Sequence, residues 1–166
     1  MSTTHSSTGK LSQVTVRPAT EQDTQGIIDC LHSAFARYRS EYTELAFAET
    51  VPELESMQKR MKEMKVLVAT ADGAVVGTLS GTVLDRTDGH LRGMAVSPEW
   101  QGSGIAAGLL VTMETALREQ GCMRITLDTT LPLHRAMHFY EKHGYRCSGR
   151  VSDYFDMALI EYVKKL

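Results

Sequence analysis

The sequence holds three cysteines, four prolines and one tryptophan in 166 residues, and its formal net charge is only −2. Each shortage excludes something. Cys30, Cys122 and Cys147 are odd in number and show no Cys-x-x-Cys spacing, which argues against a disulfide framework and a cysteine-based zinc site and leads us to expect a reducing, cytoplasmic setting. Nowhere do about 18 apolar residues run together, so no membrane-spanning helix is expected. The opening MSTTHSSTGK is small and polar, without the apolar centre of a signal peptide, and residues 1–11 read as a flexible tail ahead of a single domain over 12–166. A pI near 6.3 offers no basic field to hold a polyanionic backbone, which makes nucleic acid an unexpected partner.

What is present suits a domain with a core and a ligand cleft, at 42% hydrophobic and 23% charged residues. Val14 to Arg17 alternates like a strand that Pro18 stops, and Thr20 with Asp23 resembles a capping box opening a helix near Glu21, with Ile27, Ile28, Leu31, Ala34 and Phe35 on its apolar face. The period lapses from Glu41 to Thr50, a loop or irregular helix, before Leu54, Met57, Met61 and Met64 mark a second helix over 51–63. Val66–Thr70 and Ala74–Leu84 flank Asp72-Gly73 as a hairpin, and His90–Val96 continues the meander. A broad apolar stripe from Ile105 to Leu117 predicts a helix ended by Gly121; then follow a strand at 124–128, a helix from Pro132 to Gly144, and strands near 145–150 and 155–163. The order implies an α/β (α+β) domain, a mixed sheet covered by helices.

Between the strand ending at Val96 and the next helix lies Ser97-Pro98-Glu99-Trp100-Gln101-Gly102-Ser103-Gly104-Ile105-Ala106. Its glycines let the main chain approach a ligand, and the free amides of a helix start add a positive dipole, which suits a pyrophosphate. No Lys-Ser/Thr follows, which disfavours a nucleotide P-loop. Gly102 to Ala107 also fits Gly-x-Gly-x-x-Ala with Asp128 in the next strand, but five residues, Pro98 among them, intervene between Val96 and Gly102, and three meandering strands precede the loop; neither suits a dinucleotide fold.

Gln101-Gly102-Ser103-Gly104-Ile105-Ala106, preceded by Met94-Ala95-Val96-Ser97-Pro98 and followed by Phe139-Tyr140-Glu141-Lys142-His143-Gly144-Tyr145, resembles the core of the GCN5-related N-acetyltransferase (GNAT) family across residues 90–145, and the element order agrees beyond it. The resemblance implies a mostly antiparallel central sheet of about seven strands with four helices, opened where the parallel strands 90–96 and 124–128 splay around acetyl-CoA. It implies contacts to acetyl-CoA from Met94, Ala95, Val96, Gln101, Gly102, Ser103, Gly104, Ile105, Ala106 and Tyr140, with the Met94 amide at a bulge polarising the thioester carbonyl and Tyr140 protonating the departing thiolate. His90, four residues before Met94, occupies the place where some members carry a glutamate that serves as the general base, which makes its imidazole the candidate base here. Leu133 departs from the asparagine many members have, which shifts attention to Thr129 or Thr130 and to Arg135 as further cofactor contacts.

The function implied is transfer of acetyl to a primary amine on a small molecule or peptide, by direct attack in a ternary complex. A silent acyl-CoA sensor and a nicotinamide oxidoreductase are the alternatives. Glu41, Glu44 and Glu49 fall where the family builds its acceptor side. His134 and His138 share a helix face, but no His-Glu-x-x-His pattern and no third ligand accompany them, so no metal is expected. The exposed C-terminal strands, 155–163 among them, could pair two chains in a homodimer.

Overall fold

The computed structural model describes residues 13–166; the expected tail, 1–11, lies outside them. In chain order the elements are β1 Val14–Pro18, α1 Thr24–Phe35, α2 Glu44–Thr50, α3 Leu54–Glu63, β2 Lys65–Ala71, β3 Ala74–Asp85, β4 Asp88–Val96, α4 Ile105–Glu119, β5 Arg124–Thr130, α5 His134–Lys142, β6 Arg146–Tyr154 and β7 Met157–Lys165. The seven strands form one sheet in the order β1-β2-β3-β4-β5-β7-β6, in which only β4 and β5 run parallel. A doubly wound dinucleotide fold would need a largely parallel sheet, and this one is not.

Alternation along β2 shows how the core divides. Val66 and Val68 point to one face, where they pack with Ile27, Leu31 and Met57 of α1 and α3; Leu67 and Ala69 point to the other, where Leu109, Leu110 and Met113 of α4 cover them. Side chains alternate across a strand, so a sheet buried on both faces needs apolar residues at consecutive positions, as β2 has.

The start of α1 is anchored as its sequence suggests. The Asp23 carboxylate accepts the Thr20 amide at 2.8 Å and two bonds from Arg17 at 2.7 and 2.8 Å, and a single 3-10 turn, Glu21–Asp23, leads into the helix. Those bonds, the arginine's above all, hold the Asp23 pKa down at about 2.

Two local readings need correction. The stretch read as a loop or irregular helix contains α2, a fifth helix beside the four expected; Thr43 caps it by accepting the Ala46 amide at 3.2 Å. At seven residues, with only Ala46 and Phe47 buried, α2 is too short to print a helical period. The last strand begins at Met157, because Phe155 and Asp156, at φ 49° and 67°, form the two-residue turn between β6 and β7. A phenylalanine at positive φ gives no turn signal. Since β7 pairs with both β5 and β6, the free C-terminal edge is β6, not the strand read at 155–163.

Candidate active site

Parallel pairing of β4 with β5 stops at Leu91 and Leu127, while the two strands run on to Val96 and Thr130. A gap opens between them. On its other side β4 pairs Arg92 with Ser80 and Ala95 with Thr78, so Gly93 and Met94 together stand opposite Leu79 alone. This is a bulge, with Gly93 at φ 68°. The gap is the floor of a cleft of about 900 Å³ that runs from the glycine loop to α2, α3 and β6.

At one end lies the glycine loop. A 3-10 turn, Pro98–Trp100, leads to Gly102 at φ 80° and Gly104 at φ 88°, the latter standing directly before α4. A Cβ on either glycine would meet nothing within 4 Å, so the requirement is the left-handed backbone itself, and the space above stays open. No side chain caps α4, whose first residues Ile105, Ala106 and Ala107 line the cleft. Uncapped amides with the helix dipole behind them attract an anion. Gln101 crosses the loop mouth: its Nε2 donates to the Val96 carbonyl at 3.1 Å, and its Oε1 accepts from Arg37 at 3.2 Å and Arg135 at 3.4 Å. Two guanidinium groups are thereby held beside the uncapped helix.

Every residue expected to contact the cofactor lines this cleft except Ser103. The Ser103 hydroxyl turns back to the Trp100 carbonyl, closing the turn. Thr129 and Thr130 are separated by their partners. Thr130 Oγ1 shares a 2.7 Å hydrogen bond with Tyr42, whose pKa burial pushes up to about 12. Thr129 Oγ1 is the one side-chain polar atom among the described residues that has less than 1 Å² of exposed surface and no hydrogen-bond partner, and Thr129 lines the cleft. Buried hydroxyls rarely stay unpaired.

Tyr140 forms part of the wall, 7% exposed, with its ring edge-on to Phe139 and Tyr145 at centroid distances of 5.4 and 5.8 Å. Burial drives its pKa up, so the phenol keeps its proton across the physiological range. His90 pairs with Thr126 one step before the strands part. Its Nδ1 lies 2.9 Å from Thr126 Oγ1 and its Nε2 3.6 Å from Asp128 Oδ2. Burial lowers the His90 pKa more than Asp128 raises it, and burial raises that of Asp128. The imidazole is therefore neutral at pH 7, a base beside a carboxylate. When Thr126 donates to the Gly89 carbonyl, 3.4 Å away, Nδ1–H donates to Thr126 and Nε2 is the nitrogen free to take a proton.

Asp128 enters this site in a role the sequence reading did not give it. The signal lay in the parallel register, which pairs His90 with Thr126 and so sets Asp128, two residues on, upon the same face. Arg60, Arg92, Tyr42 and Tyr154 also line the cleft and were not singled out. Of the three glutamates considered, only Glu49 reaches it, and Arg92 holds it in a short ion pair. His138 faces Glu141 at 3.9 Å along α5, outside the cleft.

The family model described as "Acetyltransferase (GNAT) family" matches residues 30–145. Among curated relatives, glucosamine 6-phosphate N-acetyltransferase of Trypanosoma brucei brucei is 28% identical over 92 residues, and a probable N-acetyltransferase, family 8 member 5, of Mus musculus is 33% identical over 91. Each match takes in 52% of this chain, against 60% and 40% of those proteins' lengths. Among solved structures, the PaiA N-acetyltransferase of Thermoplasma acidophilum in complex with coenzyme A superposes with a TM-score of 0.76 at 20% identity, covering 92% of this chain and 99% of that one. A GNAT family acetyltransferase of Elizabethkingia anophelis with acetyl-CoA bound gives 0.66 at 15%, covering 93% and 99%. At such identities the structures speak for the fold. The family match runs from within α1 to the residue before β6, enclosing the glycine loop, the bulge and the splay, and the chain belongs to the GNAT acetyltransferase family.

Proposed function

We propose that this protein transfers an acetyl group from acetyl-CoA to a primary amine by direct attack within a ternary complex. The observation that carries the reading is the opening of β4 from β5 directly beside the uncapped start of α4, because it offers one elongated ligand both an anion site and a narrow slot. The pyrophosphate would lie on the amides of 104–107 with Arg135 alongside, and the pantetheine arm would run between the strands toward the bulge. Thr129 lines that slot, and its hydroxyl, without a partner among the described residues, would serve the arm as a donor or acceptor once its side chain rotates toward the cleft.

Chemistry would then centre on the Met94 bulge. The amine nitrogen attacks the thioester carbon, and the Met94 N–H donates a hydrogen bond to the carbonyl oxygen as it gathers negative charge. The nitrogen gives up a proton to His90 Nε2, where Asp128 stabilises the resulting imidazolium. The carbon–sulfur bond breaks, and Tyr140, still protonated, supplies a proton to the thiolate. The trypanosomal relative's name, with its N-acetyl transfer to glucosamine 6-phosphate, supports nitrogen as the accepting atom.

Thiol release from acetyl-CoA across a panel of primary amines tests the proposal, together with thermal shifts by acetyl-CoA and NADPH. Expected are an acetyl-CoA shift of several degrees and amine-dependent thiol release. Tight acetyl-CoA binding with no release for any amine would instead identify a sensor, and a shift by NADPH alone would sink the assignment.

A further inference from the structure

Arg60 is a buried charge with no counter-ion among the described residues. It projects from α3, is 7% exposed, and lines the cleft with its guanidinium against the bulge, so that a Cβ on Gly93 would come within 3.1 Å of Nη1. Among the described residues no carboxylate stands within ion-pair distance of it, and none of their hydrogen bonds uses its side chain. Glu49, the acidic residue that acts on it, is already held by Arg92. Burial and the neighbouring Arg92 push its pKa down to about 10, which leaves it a cation at neutral pH.

A guanidinium that merely braced the fold would be bonded to carbonyls or a carboxylate, because an unpaired buried charge opposes folding. Arg60 has neither, yet it opens onto the cleft. At the far side of the bulge stands the opposite sign: Asp128 beside His90. His90 and Gly93 are three residues apart on β4, so the two poles lie on the order of 10 Å from one another, less the reach of the side chains. The acceptor half of the cleft is thus polarised, negative and basic where an amine would lose its proton, positive a few bonds further on.

We propose that the acceptor is a primary amine bearing its own acid group, a carboxylate or a phosphate, which pairs with Arg60 in the bidentate manner suited to a guanidinium while the nitrogen is presented to His90 and Asp128. This rests on the acetyl-transfer reading above and deepens it by naming the class of amine. Neutral amines and polyamines, which have nothing for Arg60, are then poor acceptors.

Calorimetric titration of the CoA-saturated protein with matched pairs separates the possibilities: amino acids against their amides, and glucosamine 6-phosphate against glucosamine. The acid member of at least one pair is expected to bind about tenfold or more tightly than its neutral partner, the responding pair telling carboxylate from phosphate. Arg60→Gln should level that pair while leaving CoA affinity unchanged, and Arg60→Lys should restore part of the preference. Equal affinity within every pair, or a preference that survives in Arg60→Gln, overturns the inference, and the wild-type comparison decides alone if the variants fail to fold. Thiol release with the same compounds keeps the two proposals apart. Tight binding of an acid-bearing amine without release refutes acetyl transfer but not the anion site, whereas release with neutral amines alone refutes the anion site but not acetyl transfer.

Discussion

Replacing Thr129 by valine should raise the stability of the free protein and lower its affinity for acetyl-CoA. The two side chains have the same shape and both suit a strand, so Thr129→Val exchanges a hydroxyl for a methyl without leaving a cavity. In the free protein Thr129 Oγ1 has less than 1 Å² of exposed surface and no partner. A buried, unsatisfied hydroxyl costs about 1–3 kcal/mol, which its removal should return. For a domain of this size each kcal/mol moves the melting temperature by about 2–4 °C. If acetyl-CoA supplies the missing partner, the variant loses a hydrogen bond worth about 0.5–1.5 kcal/mol net, a two- to tenfold rise in Kd. Urea denaturation of the free proteins and calorimetric titration with acetyl-CoA measure the two halves. A variant less stable than the wild type would mean that the hydroxyl is satisfied within the fold, and an unchanged Kd would remove Thr129 from the cofactor site.

Tyr140→Phe keeps the ring and its edge-on contacts, so acetyl-CoA affinity should hold while kcat falls on the order of a hundredfold; an unaltered kcat in steady-state assays would show that the phenol donates no proton. The acid limb of the kcat/KM profile should lie below the ordinary histidine value of about 6.5, because burial depresses His90, and Asp128→Asn should move it lower still by removing the charge that raises the His90 pKa. A limb that stays put in Asp128→Asn would dissociate Asp128 from the base. Asp23, held at about 2, should contribute stability that is full above its unfolded pKa of about 4 and is lost as the pH falls toward 2. With Arg17 40% exposed and screened by solvent, Asp23→Asn should cost about 1 kcal/mol at pH 7 and almost nothing at pH 2, read from denaturation midpoints at the two pH values.

Much of the fold is legible in the chain because its signals are local. The α4 stripe, the Asp72-Gly73 hairpin and the Thr20–Asp23 cap each lie within a few residues, and each is found where the pattern puts it. The misses are of another kind. α2 has two turns and two buried residues, too few for a period, and it gains its cap partly through Thr43, which also donates to the carbonyl of Phe155 at 2.7 Å, more than a hundred residues away. Phe155 itself turns a hairpin at positive φ with no glycine or asparagine to announce it.

The glycine loop proposed to hold the cofactor could be located from the sequence alone, because a loop of glycines followed by a helix start is one contiguous segment whose free amides follow from local backbone geometry. Even there, two side chains are otherwise engaged: Ser103 closes a local turn with the Trp100 carbonyl, and Thr130 is taken by Tyr42 from a distant part of the chain, which leaves Thr129 alone of the two threonines without a partner. The end proposed for the acceptor was beyond the sequence. Glu49 from α2, Arg60 from α3, Arg92 from β4 and Asp128 from β5 are distant in the chain, and what matters about each is which charge it meets. Glu49 looks like a lure for cations until Arg92 is seen to occupy it, and Arg60 looks like one more solvated helix charge until α3 packs it against Gly93. Local backbone geometry follows from neighbours in sequence; the sign of a cleft follows from which charges remain unpaired after folding, and only the assembled sheet and helices determine that.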